Sequence, residues 1–249
     1  MSSTNVVLKV DRLSKKFQAQ VLSDISFEVR QGEVVALVGA NGAGKSTLIK
    51  IILGLVRASS GEGELYGFGF DDARSRQKLG YLPEMPGYWS ELSAQELLKF
   101  MGGVRGMAPK KTSERMAQLL GALGLKLRGS RLMGGYSKGM LQRTGIAQML
   151  LSDPEFLILD EPMSGLDPRA QEKLREILRK LKDRGKTLLI SSHHLDDIRS
   201  LCTRVLVLER SKLVEDGPTE QILSKLVEKY RSSEPWDEDP LGEIPDAGL

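Results

Sequence analysis

Residues 39–47 read Gly-Ala-Asn-Gly-Ala-Gly-Lys-Ser-Thr, with glycines where a chain must bend around an anion and a lysine and hydroxyls at the exit. Because glycine has no Cβ, successive N–H groups can converge on one guest, so Gly39, Asn41, Gly42, Ala43 and Gly44 are candidates for a phosphate cradle. A triphosphate is the natural occupant. Lys45 would neutralise its β and γ groups as a point charge, while Ser46, with Thr47 beside it, would give an oxygen to Mg²⁺. The bland alternative is a glycine-rich turn that binds nothing.

A second constellation lies far along the chain. Asp160 and Glu161 follow the apolar run Phe156-Leu157-Ile158-Leu159, at the carboxyl end of an expected strand, where open α/β sheets place ligands. Asp160 suits the Mg²⁺ shell and Glu161 suits a water that must attack a phosphoryl group, since that reaction needs positioning and charge neutralisation. The competing account is a turn over residues 162–167 capped by both carboxylates.

The elements that must hold these groups are legible around them. Val34-Val35-Ala36-Leu37-Val38 is apolar throughout, as a buried parallel strand is, and residues 48–53 read as a buried helix whose N-terminus faces the glycine loop. Residues 6–10 and 25–29 alternate as half-buried strands, and Glu64-Leu65-Tyr66 suggests another, giving an antiparallel patch. Residues 84–153 change character: 96–101, 113–123 and 140–151 have helical spacing between glycine-rich joints.

Beyond the carboxylates, a helix is expected over 168–184 with Asp167 as N-cap and Gly185 as stop, then strands at 187–191 and 205–208 and a helix over 218–231. The fold class is α/β: a phosphate-loop core with a mostly parallel sheet, a small antiparallel β subdomain and an inserted helical subdomain. The division is 1–231 for the domain, with core 1–83 and 153–231 and helices in 84–152, followed by a tail at 232–249.

With 249 residues, 40% of them hydrophobic and 28% charged, the chain can bury a full core. No apolar stretch approaches the ~18 residues that span a bilayer, and the first residues carry no signal-like pattern, so a cytosolic chain is expected. The single cysteine, Cys202, excludes a disulfide framework and is read as a filler of an apolar gap. The net charge of +3 includes a tail with six acidic residues and no Lys or Arg, so residues 1–231 carry +9. Such a body could meet nucleic acid, an anionic membrane or nucleotide phosphates, but its cations are dispersed along helices.

Taken together, the motifs and their order resemble the nucleotide-binding subunit of an ABC transporter, over about residues 6–220. In that resemblance residues 39–47 are the Walker A loop and 156–161 the Walker B strand with its catalytic glutamate, Glu161. Tyr136-Ser137-Lys138-Gly139-Met140 occupies the signature position, Ser164-Gly165-Leu166-Asp167 the D-loop, and Ser191-Ser192-His193 the switch segment. Ser137 and Gly139, just before a helix expected near Met140, would form a second anion site covering the γ-phosphate held by another subunit. Asp167 would belong to the same nucleotide sandwich. His193 would sense the γ-phosphate as a third catalytic-site residue with Lys45 and Glu161, whereas His194 receives no role. Phe17 stands where the family stacks an aromatic on adenine, although it could instead pack into the antiparallel sheet.

Two positions depart from the family pattern. Glu84 replaces the usual glutamine; a carboxylate can approach Mg²⁺ but cannot donate a hydrogen bond as an amide does. Lys138 and Met140 alter the signature in the manner of the export-type branch. The resemblance implies ATP and Mg²⁺ as ligands, a second ATPase subunit in a homodimer, and an integral membrane permease to which the chain docks at the cytoplasmic face, with Tyr88 and Trp89 as aromatic anchors. No nucleic acid is expected. The rival is a soluble ATPase of the same type acting on nucleic acid or ribosomes, but its usual long coiled-coil insertion or doubled ATPase unit is missing from the sequence.

Overall fold

The computed structural model describes residues 5–192 and 195–232. In chain order the first half comprises β1 (Val6–Lys16), β2 (Gln20–Arg30), β3 (Val34–Val38), α1 (Lys45–Ile52), β4 (Ser60–Leu65), β5 (Phe68–Gly69) and β6 (Leu79–Leu82). Three helices follow: α2 (Ala94–Val104), α3 (Pro109–Ala122) and α4 (Lys138–Leu150). The chain then forms β7 (Phe156–Asp160), α5 (Pro168–Asp183), β8 (Thr187–Ser191), α6 (Leu195–Leu201), β9 (Arg204–Glu209), β10 (Lys212–Pro218) and α7 (Thr219–Ser232).

Two sheets organise these elements. Six strands in the order β10-β9-β3-β8-β7-β6 form one, parallel except for β10, and β2-β1-β4-β5 form an antiparallel second. The apolar run of β3 is divided by the two-residue strand period: Val34, Ala36 and Val38 enter one core, and Val35 and Leu37 enter the other. Strand β7 does the same, sending Leu157 and Leu159 to the first and Phe156 and Ile158 to the second. The second core lies between the sheets and encloses Leu48, Ile49 and Ile52 of α1, so the helix behind the glycine loop is clamped on both sides.

Helices α2, α3 and α4 send Leu98, Leu119 and Ile146 into the same core as the helical face of the parallel sheet. Their approach depends on Gly145, where a Cβ would stand 2.7 Å from Leu82 Cδ1 and 2.8 Å from the Tyr88 hydroxyl. The N-cap of α2 is Ser93, which accepts from the Glu96 amide while the Glu96 carboxylate accepts from the Ser93 amide.

Several boundaries differ from the sequence expectation. Strands β1 and β2 run far beyond 6–10 and 25–29, because bulges with Arg12 and Asp24 at positive φ interrupt the alternation without ending the pairing. Strand β10 was not expected at all; it is a polar edge strand, paired to β9 through a turn at Arg210 and Ser211. Helix α4 begins at Lys138 rather than near Met140, because Ser137 caps it.

Candidate functional site

The glycine loop joins the end of β3 to α1. Gly44 is the N-cap of α1 with φ 107°, a conformation that disfavours any residue with a Cβ, and a Cβ there would lie 2.7 Å from the Val21 carbonyl oxygen. A Cβ on Gly39 would lie 2.4 Å from the Leu208 carbonyl oxygen. Both glycines are therefore demanded by packing. Helix α1 has no side-chain cap and no acidic residue in its first turn, so its first amides and positive dipole end remain directed at the loop. Asn41 and Gly42 are exposed on the loop, and Ala43, Ser46 and Thr47 are half-buried.

Lys45 is buried, and its ammonium donates to the Gly39 carbonyl at 2.7 Å and the Ala40 carbonyl at 3.4 Å. Its Nζ also stands 3.6 Å from Glu161 Oε1. Asp160 and Glu161 are themselves buried, at 4% and 8% exposure, which places two carboxylates and one ammonium together out of bulk solvent. Asp160 ends β7, and Glu161 follows it with φ 44°; the chain then turns, the Ser164 amide donating to the Glu161 carbonyl at 3.0 Å.

Ser191, at the end of β8, completes this cluster. Its Oγ donates to Asp160 Oδ1 at 2.6 Å and accepts from the Glu161 amide at 2.8 Å. Sequence reading placed Ser191 only within the switch segment and gave it no role; its position opposite Asp160 in the parallel ladder is information a linear pattern does not carry. His193 and His194 lie outside the described residues.

A second cluster gathers residues 137–142 at the start of α4 and residues 162–167 before α5. Ser137 accepts from the Met140 amide at 3.3 Å, leaving its own hydroxyl proton free to donate. A Cβ on Gly139 would touch Leu166 at 3.9 Å, and a Cβ on Gly165 would fall 2.0 Å from Lys138 Nζ. The lysine that departs from the family signature therefore lies across a glycine of the D-loop. Asp167 caps α5, its Oδ1 accepting from the Ala170 amide at 2.9 Å, as expected for a helix entrance. Buried Gln142 donates to the Pro162 carbonyl at 3.0 Å and ties α4 to the segment after Glu161. Its role was not expected from sequence.

The remaining candidates stand at the edges. Phe17 is 57% exposed with Lys15 Nζ 4.6 Å above its ring, so the alternative of packing into the sheet does not hold. Glu84 is exposed in the segment after β6. Tyr88 is half-buried against Gly145, and burial pushes its phenol well above the ordinary tyrosine range. Trp89 is 60% exposed and meets Phe100 edge-on with centroids 6.4 Å apart.

The loop, the hydroxyl of Ser46 and the carboxylate of Asp160 form a hard-oxygen and amide set that fits a triphosphate with Mg²⁺. Fold and site thus define a phosphate-loop nucleotide-binding domain. Residues 22–164 match the ABC transporter family, and the chain belongs to that family as an ATP-binding component. It is 41% identical over 208 residues to an ABC transporter ATP-binding protein of Synechocystis, covering 83% of this chain and 59% of that protein. It is 35% identical to the bacitracin transport ATP-binding protein BcrA of Bacillus licheniformis, covering 91% of this chain and 74% of BcrA. A solved ATP-binding subunit of an ABC transporter superposes with a TM-score of 0.81 at 33% identity, over 89% of this chain and 93% of that one. The chain spans about three-fifths of the length of the Synechocystis relative.

Proposed function

We propose that this chain binds MgATP and hydrolyses it within a head-to-tail homodimer, powering transport through a separate integral membrane permease at the cytoplasmic face of the membrane. The carrying observation is the buried meeting of Lys45 and Glu161 at 3.6 Å, which puts the glycine loop and the post-strand carboxylate in one site. In this reading residues 39–47 bind the phosphates through backbone amides, and Lys45 neutralises the β and γ groups. Magnesium, when bound, would neutralise phosphate charge and be held by Ser46 and Asp160, with Glu84 approaching its shell. Glu161 takes the proton from the attacking water; the new P–O bond forms as the bond to the ADP oxygen breaks, giving ADP and inorganic phosphate.

Ser137 at the N-cap of α4 and Gly139 in its first turn present a hydroxyl and helix N-terminal amides, which supports their use on nucleotide held by a second copy. Asp167 belongs to that shared face, Phe17 offers an exposed ring to adenine, and His193 follows β8 to report the γ-phosphate. The permease face is the exposed aromatic pair of Trp89 and Phe100, with exposed Met85 in the same segment as Glu84 and Trp89. Export is the favoured direction, supported by the altered signature at Lys138 and Met140. Among the described residues no helix is long and apolar enough to cross a membrane, consistent with the pore being supplied by the permease. The relatives' names favour this reading over action on nucleic acid or ribosomes.

The test is to titrate the purified chain with MgATP while following phosphate release and mass by light scattering. Nucleotide-dependent dimers and turnover are expected; a chain that remains monomeric and releases no phosphate, alone and with its co-purifying permease, rejects the proposal.

A further inference from the structure

The hydroxyl of Ser191 has one proton to give and lone pairs with which to accept, and the structure uses both on the two acidic positions of the site. The proton goes to Asp160 Oδ1 at 2.6 Å, and a lone pair receives the Glu161 amide at 2.8 Å. All three residues are buried, Ser191 with no exposed surface. Glu161 has φ 44°, a left-handed backbone that costs a residue with a Cβ roughly 1–2 kcal/mol. Such a conformation persists where its surroundings over-determine it. The Ser191 hydroxyl is a fixed acceptor for the very amide that this conformation turns inward. It also engages one oxygen of Asp160 and so restricts how that carboxylate can face a cation.

We propose that Ser191 is a positioning residue for ATP hydrolysis, holding Glu161 in its aimed backbone conformation and Asp160 in its metal-facing orientation through a single hydroxyl. This rests on the hydrolytic role proposed above. The hydroxyl's effect is confined to turnover and magnesium use, because the phosphate amides and Lys45 that bind nucleotide belong to the glycine loop.

The experiment compares S191T with S191V in the full chain, since these side chains differ only by hydroxyl against methyl. S191T is expected to retain kcat within a few-fold. S191V should lower kcat by about 10–100-fold, the range found when an outer partner of a metal ligand is removed. In S191V the KM for ATP should stay within a few-fold while the magnesium concentration for half-maximal rate rises. Equal kcat and equal magnesium dependence in the two variants, with the wild-type chain active, overturn the inference alone; an inactive wild-type chain rejects the hydrolytic reading and this inference with it. If S191V unfolds at the assay temperature, S191A replaces it. A variant with lowered Tm but unchanged kcat per folded molecule shows a merely structural serine and likewise overturns the proposal.

Discussion

The ammonium of Lys45 and the carboxylate of Glu161 stand 3.6 Å apart with side chains about one-tenth exposed or less. One comes from the first turn of α1 and the other from the residue after β7, so the pair exists only because β3 and β7 flank β8 in the parallel sheet. Taking two charges out of water is costly, and they offset that cost mainly in each other's company. Such an arrangement is expected where charge must be ready for a reaction.

Replacing Glu161 by glutamine keeps the volume and removes the base. E161Q should bind ATP with affinity close to wild type while kcat falls by about 10²–10⁴-fold. Nucleotide-bound dimers should accumulate in size-exclusion chromatography. Turnover near the wild-type rate would exclude Glu161 as the proton acceptor.

Lys45→Ala should weaken ATP binding at least about ten-fold, as loss of a phosphate counter-charge implies. It also deprives buried Glu161 of the Lys45 charge, at a cost on the order of 3–5 kcal/mol. K45A/E161Q should therefore recover part of the stability lost by K45A in urea unfolding. Strict additivity of the two substitutions would show that the pair is not coupled.

Trp89 and Phe100 form an exposed aromatic pair. Trp89→Ala should change the stability of the isolated chain by no more than about 0.5 kcal/mol and leave its own ATPase intact. Stimulation by the permease should fall, since a central aromatic anchor is worth about 2 kcal/mol or more. Full stimulation would place the docking face elsewhere.

Gly145→Ala introduces a Cβ within 2.7 Å of Leu82 Cδ1 and 2.8 Å of the Tyr88 hydroxyl. Overpacking of this kind costs about 1–3 kcal/mol. The Tm should drop without loss of the far-ultraviolet helical signal, and an unchanged Tm would mean that α4 stands off β6 in solution.

Cys202 is buried at 6% exposure, and burial pushes its thiol from 9.0 up to about 12. An acid whose folded value is raised stays protonated in the native chain while the unfolded chain ionises. This contribution to stability should therefore be present below about pH 9 and fall between there and about pH 12. A disulfide reagent at pH 8 should label the thiol only on unfolding; rapid native labelling would contradict the burial.

How much of this was legible beforehand follows the reach of each interaction. The runs forming β3, β7 and β8 and the cap at Asp167 depend on neighbours in sequence, and they appear where patterning puts them. The alternation marks only parts of β1 and β2 because bulges break it, and β10 leaves no apolar pattern because an edge strand needs none.

The sequence by itself determined that a glycine loop, a lysine, a hydroxyl and a distant acidic pair are present in an order that belongs to one family, because backbone permissiveness and side-chain chemistry are local properties. Only the tertiary structure decided that Glu161 meets Lys45, that Ser191 stands between Asp160 and the Glu161 amide, and that Lys138 lies across Gly165. Those relations depend on which strands become neighbours and in what register. That choice is made by burying both faces of the parallel sheet at once, and no short stretch of sequence records it.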